Sequence, residues 1–190
     1  GALAWIASAQ AAGYRIETVA SGLEHPWSLA FLPDGRLLVT ERPGRLRVIE
    51  PGPDGQLRLR PEPVAGVPAV LARGQAGLFD VVVDPAFATS GQLLLSLAHG
   101  TPQANHLRVV RARFDGRQLQ DVQPVFTSMP AKVDTQHFGG RMALLADGTR
   151  PARSEFDMFK YRKVAIAAAS CKSDGCANNL AQGDNSVGLP

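Results

Sequence analysis

Cysteine is missing from the first 170 positions of this 190-residue chain, and its two copies, Cys171 and Cys176, sit in the last twenty. A disulfide framework is thereby excluded for the body of the chain, although the pair has the spacing for one small local loop in an oxidising compartment. A zinc centre there would want further ligands close by, and the residues from 150 onward contain no histidine. Lysine is scarce as well. Sixteen arginines, four lysines and 17 acidic residues leave a formal charge of +3, with arginines scattered from Arg15 to Arg162 and no basic run of five. Charge so dispersed excludes a nucleic-acid-binding arm and reads as an arginine-rich surface. No stretch approaches the ~20 consecutive apolar residues of a membrane span. What remains, 45% hydrophobic and 19% charged, is a globular composition with length for one domain and a sizeable core.

The opening GALAWIASAQAAG, residues 1–13, is small, apolar and uncharged. It reads as the remnant of a secretory signal, with Ala7-Ser8-Ala9 or Ala9-Gln10-Ala11 as the small-x-small cleavage site, and predicts a periplasmic or secreted protein. The alternative is an ordinary terminus or a short buried helix.

From Leu29 the chain reads LAFLPDGRLLVTERPGRLRVIEPGPDGQLRL. Short apolar runs alternate with Asp-Gly or Pro-Gly pairs, which supply the positive backbone angles of tight hairpins. The expectation is a meander with strands at 29–32, 36–40, 45–50 and 56–60, turning at Asp34-Gly35, Pro43-Gly44 and Asp54-Gly55. The phrase returns as LFDVVVDPAFATSGQLLLSLAH, whose longer turn closes on Gly91, followed by two strands around Asp115-Gly116. It starts a third time as GGRMALLADGT. The turn glycines Gly35, Gly91 and Gly148 stand 56 and 57 residues apart. About four antiparallel strands recurring at one period point to propeller blades, whereas a sandwich has no reason to repeat at fixed spacing. The predicted fold is therefore all-β, an incomplete β-propeller over residues 14–149 with two blades and the first strand of a third.

Residues 150–190 share no period with this. FDMFKYRKVAIAAAS, residues 156–170, reads as one helix with an alanine-rich end, and 171–190 as loop. A frameshift or a gene junction accounts for the change better than a designed domain.

Four histidines are candidates for chemistry. His25 in His-Pro-Trp fits a strand entry, with Trp27 packing between blades. His99 and His106 flank a polar loop and are expected to be solvated. His137 starts the innermost strand of a blade, ahead of Gly139-Gly140, where a flat ligand can approach the backbone. Gln75 in ARGQAGLFD holds the equivalent place one blade earlier. A histidine and a glutamine at matching inner positions have the chemistry of a base and a hydrogen-bonding partner facing one site. They are equally compatible with two structural polar residues at strand starts.

GLEHPWSLAFLPDGRLLVTERPGRLRVI, GQAGLFDVVVDPAFATSGQLLLS and HFGGRMALLADGT together resemble the glucose/sorbosone dehydrogenase family over residues 14–149. That resemblance implies a soluble six-bladed propeller enzyme using pyrroloquinoline quinone (PQQ), in its bacterial aldose sugar dehydrogenase branch. It implies that His137 is the general base, taking the proton of the anomeric hydroxyl while hydride passes from C1 to the quinone, and that Gln75 hydrogen-bonds the cofactor. Arg141 is a weaker pocket candidate, its alternative being a surface arginine beside a turn. Partners would be an aldose and an electron acceptor.

The departures from the family are equally plain. Family members continue past Asp-Gly-Thr with an apolar strand ending in Gly-Asp, whose carboxylate orients the histidine, whereas here Glu155-Phe156-Asp157 stand in that neighbourhood. The blades that bring basic cofactor contacts and calcium are missing. A base without its orienter in half a pocket is expected to be inactive alone. The rival expectations are a non-catalytic propeller module binding a sugar or a protein, and a non-functional truncated product.

Overall fold

A computed structural model describes residues 16–145, and residues 163–167 as backbone only. The signal remnant at 1–13 lies outside the described residues, as do the cysteines and the loop expected from 171 onward.

The chain builds two antiparallel four-stranded sheets in sequence order. The first is β1 (Pro26–Phe31), β2 (Leu37–Glu41), β3 (Arg45–Pro51) and β4 (Leu57–Leu59). The second is β5 (Leu78–Val83), β6 (Gln92–Thr101), β7 (Ala104–Phe114) and β8 (Leu119–Thr127), with the single-turn helix α1 (Phe87–Ser90) between β5 and β6. The meander expected from the Asp-Gly spacing is present, β1 beginning three residues earlier than read, at Pro26. Asp34, Asp54 and Asp115 each accept main-chain N–H groups two residues on, at 3.1, 3.1 and 2.9 Å. The carboxylate thus closes each turn that its glycine allows.

Alternation along the strands decides the packing. Leu38, Leu46 and Val48 on one face of the first sheet meet Leu93, Leu95, Leu97, Val110 and Ala112 of the second in one buried cluster. The opposite face of the first sheet carries Leu37, Val39 and Ile49, against which Ala20 and Leu23 of the preceding segment pack. β6 is buried on both sides. Its odd-numbered leucines face the first sheet, while Leu94, with Val109, packs on Met142 of the strand that follows. This explains why β6 reads as a continuous apolar run and not as an alternating one. Each such leucine contributes about 1.5–3 kcal/mol by leaving water.

A third sheet begins with β9 (Arg141–Leu145), paired antiparallel with β10 (Lys163–Ala167), Met142 opposite Ile166. This corrects two expectations. The third unit has a second strand, and 163–167 is that strand and not part of a helix; the rest of the expected helix lies outside the described residues. Alanine favours helix, but Val164 and Ile166 favour a strand, and the open edge of β9 offers backbone partners that outweigh local propensity.

Candidate functional site

One end of the sheets gathers the start of β1, the residue after β2 and the two segments that enter β5 and β9. They border an open cavity of about 450 Å³. Trp27, Phe79 and Phe138, one ring from each sheet's entry, form an aromatic wall, with centroids 5.6 and 5.4 Å apart in sequence. Trp27 thus packs between sheets, as expected. Arg42, Gln75, His137 and the backbone of Gly74 and Gly139 complete the lining.

Gln75 and His137 are brought together. The His137 main-chain N–H donates to Gln75 Oε1 at 2.9 Å, and the Gln75 N–H donates to Thr135 O at 3.0 Å. Gly74 permits this approach: at φ 61° a Cβ there would stand 2.6 Å from Thr135 Oγ1. His137 itself has φ 55°, uncommon for a residue with a side chain. Its side chain is exposed.

The segment before His137 is tied down from one side. Buried Asn105 exchanges main-chain bonds with Lys132 at 3.0 and 2.8 Å and donates from Nδ2 to Asp134 O at 2.9 Å. Lys132 Nζ lies 4.2 Å over the Phe138 ring and 3.2 Å from Asp134 Oδ1. The Gln136 N–H, then Lys132, and last the nearby His137 hold the Asp134 carboxyl below its ordinary range.

Arg141 does not line the cavity. Its guanidinium lies 4.9 Å over the Trp27 ring, and Nη1 is 3.3 Å from Asp80 Oδ1. The register of β9 turns residue 141 toward β1 and β5, which the turn glycines alone do not reveal. His99 and His106 correct another expectation. They face each other across β6 and β7 and are half-buried; burial first, then the Arg108 charge, pushes the His99 imidazole down. His106 Nδ1 lies 2.7 Å from Ser128 O.

Two residues escaped the sequence reading. Arg42 donates from Nη1 to Gly74 O and is the cation of the cavity lining. Asp80 is buried behind the aromatic wall, 2% exposed. A lone acid inside the apolar run of β5 was its one visible signal. A larger hollow, about 650 Å³, shares no residue with this cavity; of its arginines, Arg36 and Arg60 are already engaged by Asp34 and Glu50.

Among the described residues no group of three or more histidine, cysteine or acidic side chains converges to hold a metal ion. No helix among them is long and apolar enough to cross a membrane.

Comparison with known proteins adds the following. The glucose/sorbosone dehydrogenase family model matches residues 23–150. The aldose sugar dehydrogenase YliI of Escherichia coli K12 is 34% identical over 165 residues, 80% of this chain and 43% of its own length. The apo structure of the soluble aldose sugar dehydrogenase from Escherichia coli matches at TM-score 0.60 and 39% identity, covering 67% of this chain and 36% of that one. The PQQ-bound aldose sugar dehydrogenase of Streptomyces coelicolor matches at TM-score 0.53 and 31% identity, with coverage of 67% and 36%. The chain thus spans well under half of the relatives it matches.

Proposed function

The chain belongs to the glucose/sorbosone dehydrogenase family, and on that premise we propose that it supplies the base and a cofactor contact for oxidation of an aldose at C1 to its lactone. The observation that carries the reading is the Gln75–His137 hydrogen bond at the rim of an aromatic-walled cavity. The same reading gives the whole protein a six-bladed propeller and, from residues 1–13, export to the periplasm or beyond.

PQQ fits the residues present. A flat, anionic quinone suits three aromatic rings, the Arg42 cation, the Gln75 amide and backbone left open at Gly139. When bound, it would supply the two-electron acceptor for the C1 hydride. His137, with its ring free to face solvent, would take the proton from the C1 hydroxyl as the C1 carbonyl forms, since a neutral imidazole accepts a proton near working pH. Gln75 would hold the His137 backbone and offer its amide N–H₂ to the ligand. The wall of rings would keep water from the reacting face. No described cluster could hold the calcium that the family resemblance implies, and no step here depends on it.

The test is a chimera joining residues 14–149 to the remainder of the Escherichia coli aldose sugar dehydrogenase. It should reduce a dye in the presence of PQQ, calcium and glucose. His137→Gln should lower that rate by about 10²–10⁴-fold with an unchanged melt. A folded chimera whose rate ignores His137→Gln would end the reading. PQQ-independent binding of sugar with no dye reduction would favour a non-catalytic module.

A further inference from the structure

We infer that Asp80, acting with Ser96, is a positioning residue for His137, holding the backbone that follows the base from inside the neighbouring sheet. As a role in catalysis this rests on the reading of His137 as the base; as an anchor it rests on geometry alone.

His137 occupies a backbone conformation that side-chain-bearing residues rarely keep, and its own side chain is exposed. Such a residue persists only where its surroundings over-determine it. Upstream, Gln75 takes its N–H. Downstream, three contacts grip residues 138–142, all from one dipeptide and its partner strand. Asp80 Oδ2 accepts the Met142 N–H at 2.7 Å. Ser96 Oγ donates to Gly140 O at 2.5 Å and accepts the Asp80 N–H at 3.0 Å, so the two anchors are themselves joined. The ring of Phe79 fills the space beside Gly140, where a Cβ would stand 2.9 Å from it, and lies 5.4 Å from the Phe138 ring.

The carboxylate is a rigid reference because its own surroundings are saturated. Oδ1 accepts from Ser28 Oγ at 2.5 Å and from the Val81 N–H at 3.0 Å, with Arg141 Nη1 at 3.3 Å. A buried charge must keep such donors, and any shift of β9 that withdrew the Met142 N–H would leave it short. A well-packed apolar residue would hold the sheets together as firmly without naming a register. The charge specifies which N–H of β9 sits there, and hence where a residue five positions earlier stands.

The experiment uses the full chain. Histidine-ring spectra by long-range ¹H–¹⁵N correlation, with the His137 signal assigned by His137→Gln, are recorded for Asp80→Asn, Ser96→Ala and Ser28→Ala. Ser28→Ala removes a hydrogen bond from the same carboxylate but touches no main-chain atom of 138–142, only the Arg141 guanidinium at 3.5 Å, so it reports a purely structural cost. Asp80→Asn and Ser96→Ala should move the His137 ring signals, leave those of His25 and His106 in place, and speed amide exchange over 137–142 about tenfold or more. Ser28→Ala should leave both within about twofold. The inference is overturned if Asp80→Asn and Ser96→Ala leave His137 unmoved, or if Ser28→Ala moves it equally. Should Asp80→Asn fail to fold, Ser96→Ala decides alone by the same criteria. Shifts here with a PQQ-inert chimera would remove the base and keep the anchor, so the two readings fail separately.

Discussion

The main-chain N–H of His137 is donated to the side chain of Gln75, 62 positions earlier, at 2.9 Å. Two segments entering neighbouring sheets are thereby closed against each other at the mouth of the cavity. The bond uses the glutamine oxygen and leaves its NH₂ group for a ligand.

Gln75→Ala removes that acceptor from a partly solvated N–H. The cost should be about 1 kcal/mol, with faster amide exchange at His137. Gln75→Glu, which keeps an acceptor, should restore the protection. Exchange measured by mass spectrometry over 135–140 decides, and unchanged protection in the alanine variant would contradict the contact.

Arg42→Gln takes the cation from the cavity. Binding of PQQ, followed by quenching of tryptophan fluorescence, should weaken about tenfold, or about 1.4 kcal/mol, while the melting temperature moves little. Equal affinity in variant and parent would remove Arg42 from the ligand site.

Gly140→Ala should be among the most damaging small substitutions. Its Cβ would meet Phe79 Cδ2 at 2.9 Å, at a backbone φ of 82°. Overpacking and the left-handed conformation together should cost about 2–4 kcal/mol. Thermal and urea melts read this directly.

Leu94→Ala and Leu95→Ala, on opposite faces of β6, should each destabilise by about 2–4 kcal/mol. Both are 1% exposed or less. A strand with one solvated face would lose stability at only one of the two, so the pair tests whether β9 covers the second sheet.

Glu41 gives a pH dependence. Its fully buried carboxyl is pushed up by burial, but the Arg45 guanidinium at 2.6 Å, the Glu24 N–H at 2.6 Å and the Arg47 charge outweigh that and hold it below its ordinary 4.5. A carboxyl with a lowered folded-state value adds stability above its unfolded value and loses it as pH falls through the folded one. Melts should therefore fall on acidification below about pH 4.5, and this part of the acid limb should flatten in Glu41→Gln.

The repeat was legible because strand alternation and Asp-Gly turns are local. Each Asp-Gly pair bends its own chain whatever lies beyond it, which is why the turns at Asp34, Asp54 and Asp115 stand where the spacing put them. Gln75 and His137 were legible for the same reason, as equivalent points of one repeated phrase. The partners of Arg141, Trp27 and Asp80, were not legible, because its direction depends on β9's register against a neighbour. The helix expected at 156–170 was misread over 163–167 because alanine content speaks for an isolated segment, and β9 offered that segment an edge.

The order of short strands, their turns and the kinship of the chain were settled by the amino-acid sequence by itself, through interactions between residues a few positions apart. Which polar groups meet was decided only by tertiary structure. Asp80 reaches Ser28 and Met142 at separations of 52 and 62 residues, and Lys132 finds Phe138 by the path of a loop. Those partnerships exist because sheets pack face to face, and burial makes each unpaired donor or acceptor costly enough that one arrangement prevails.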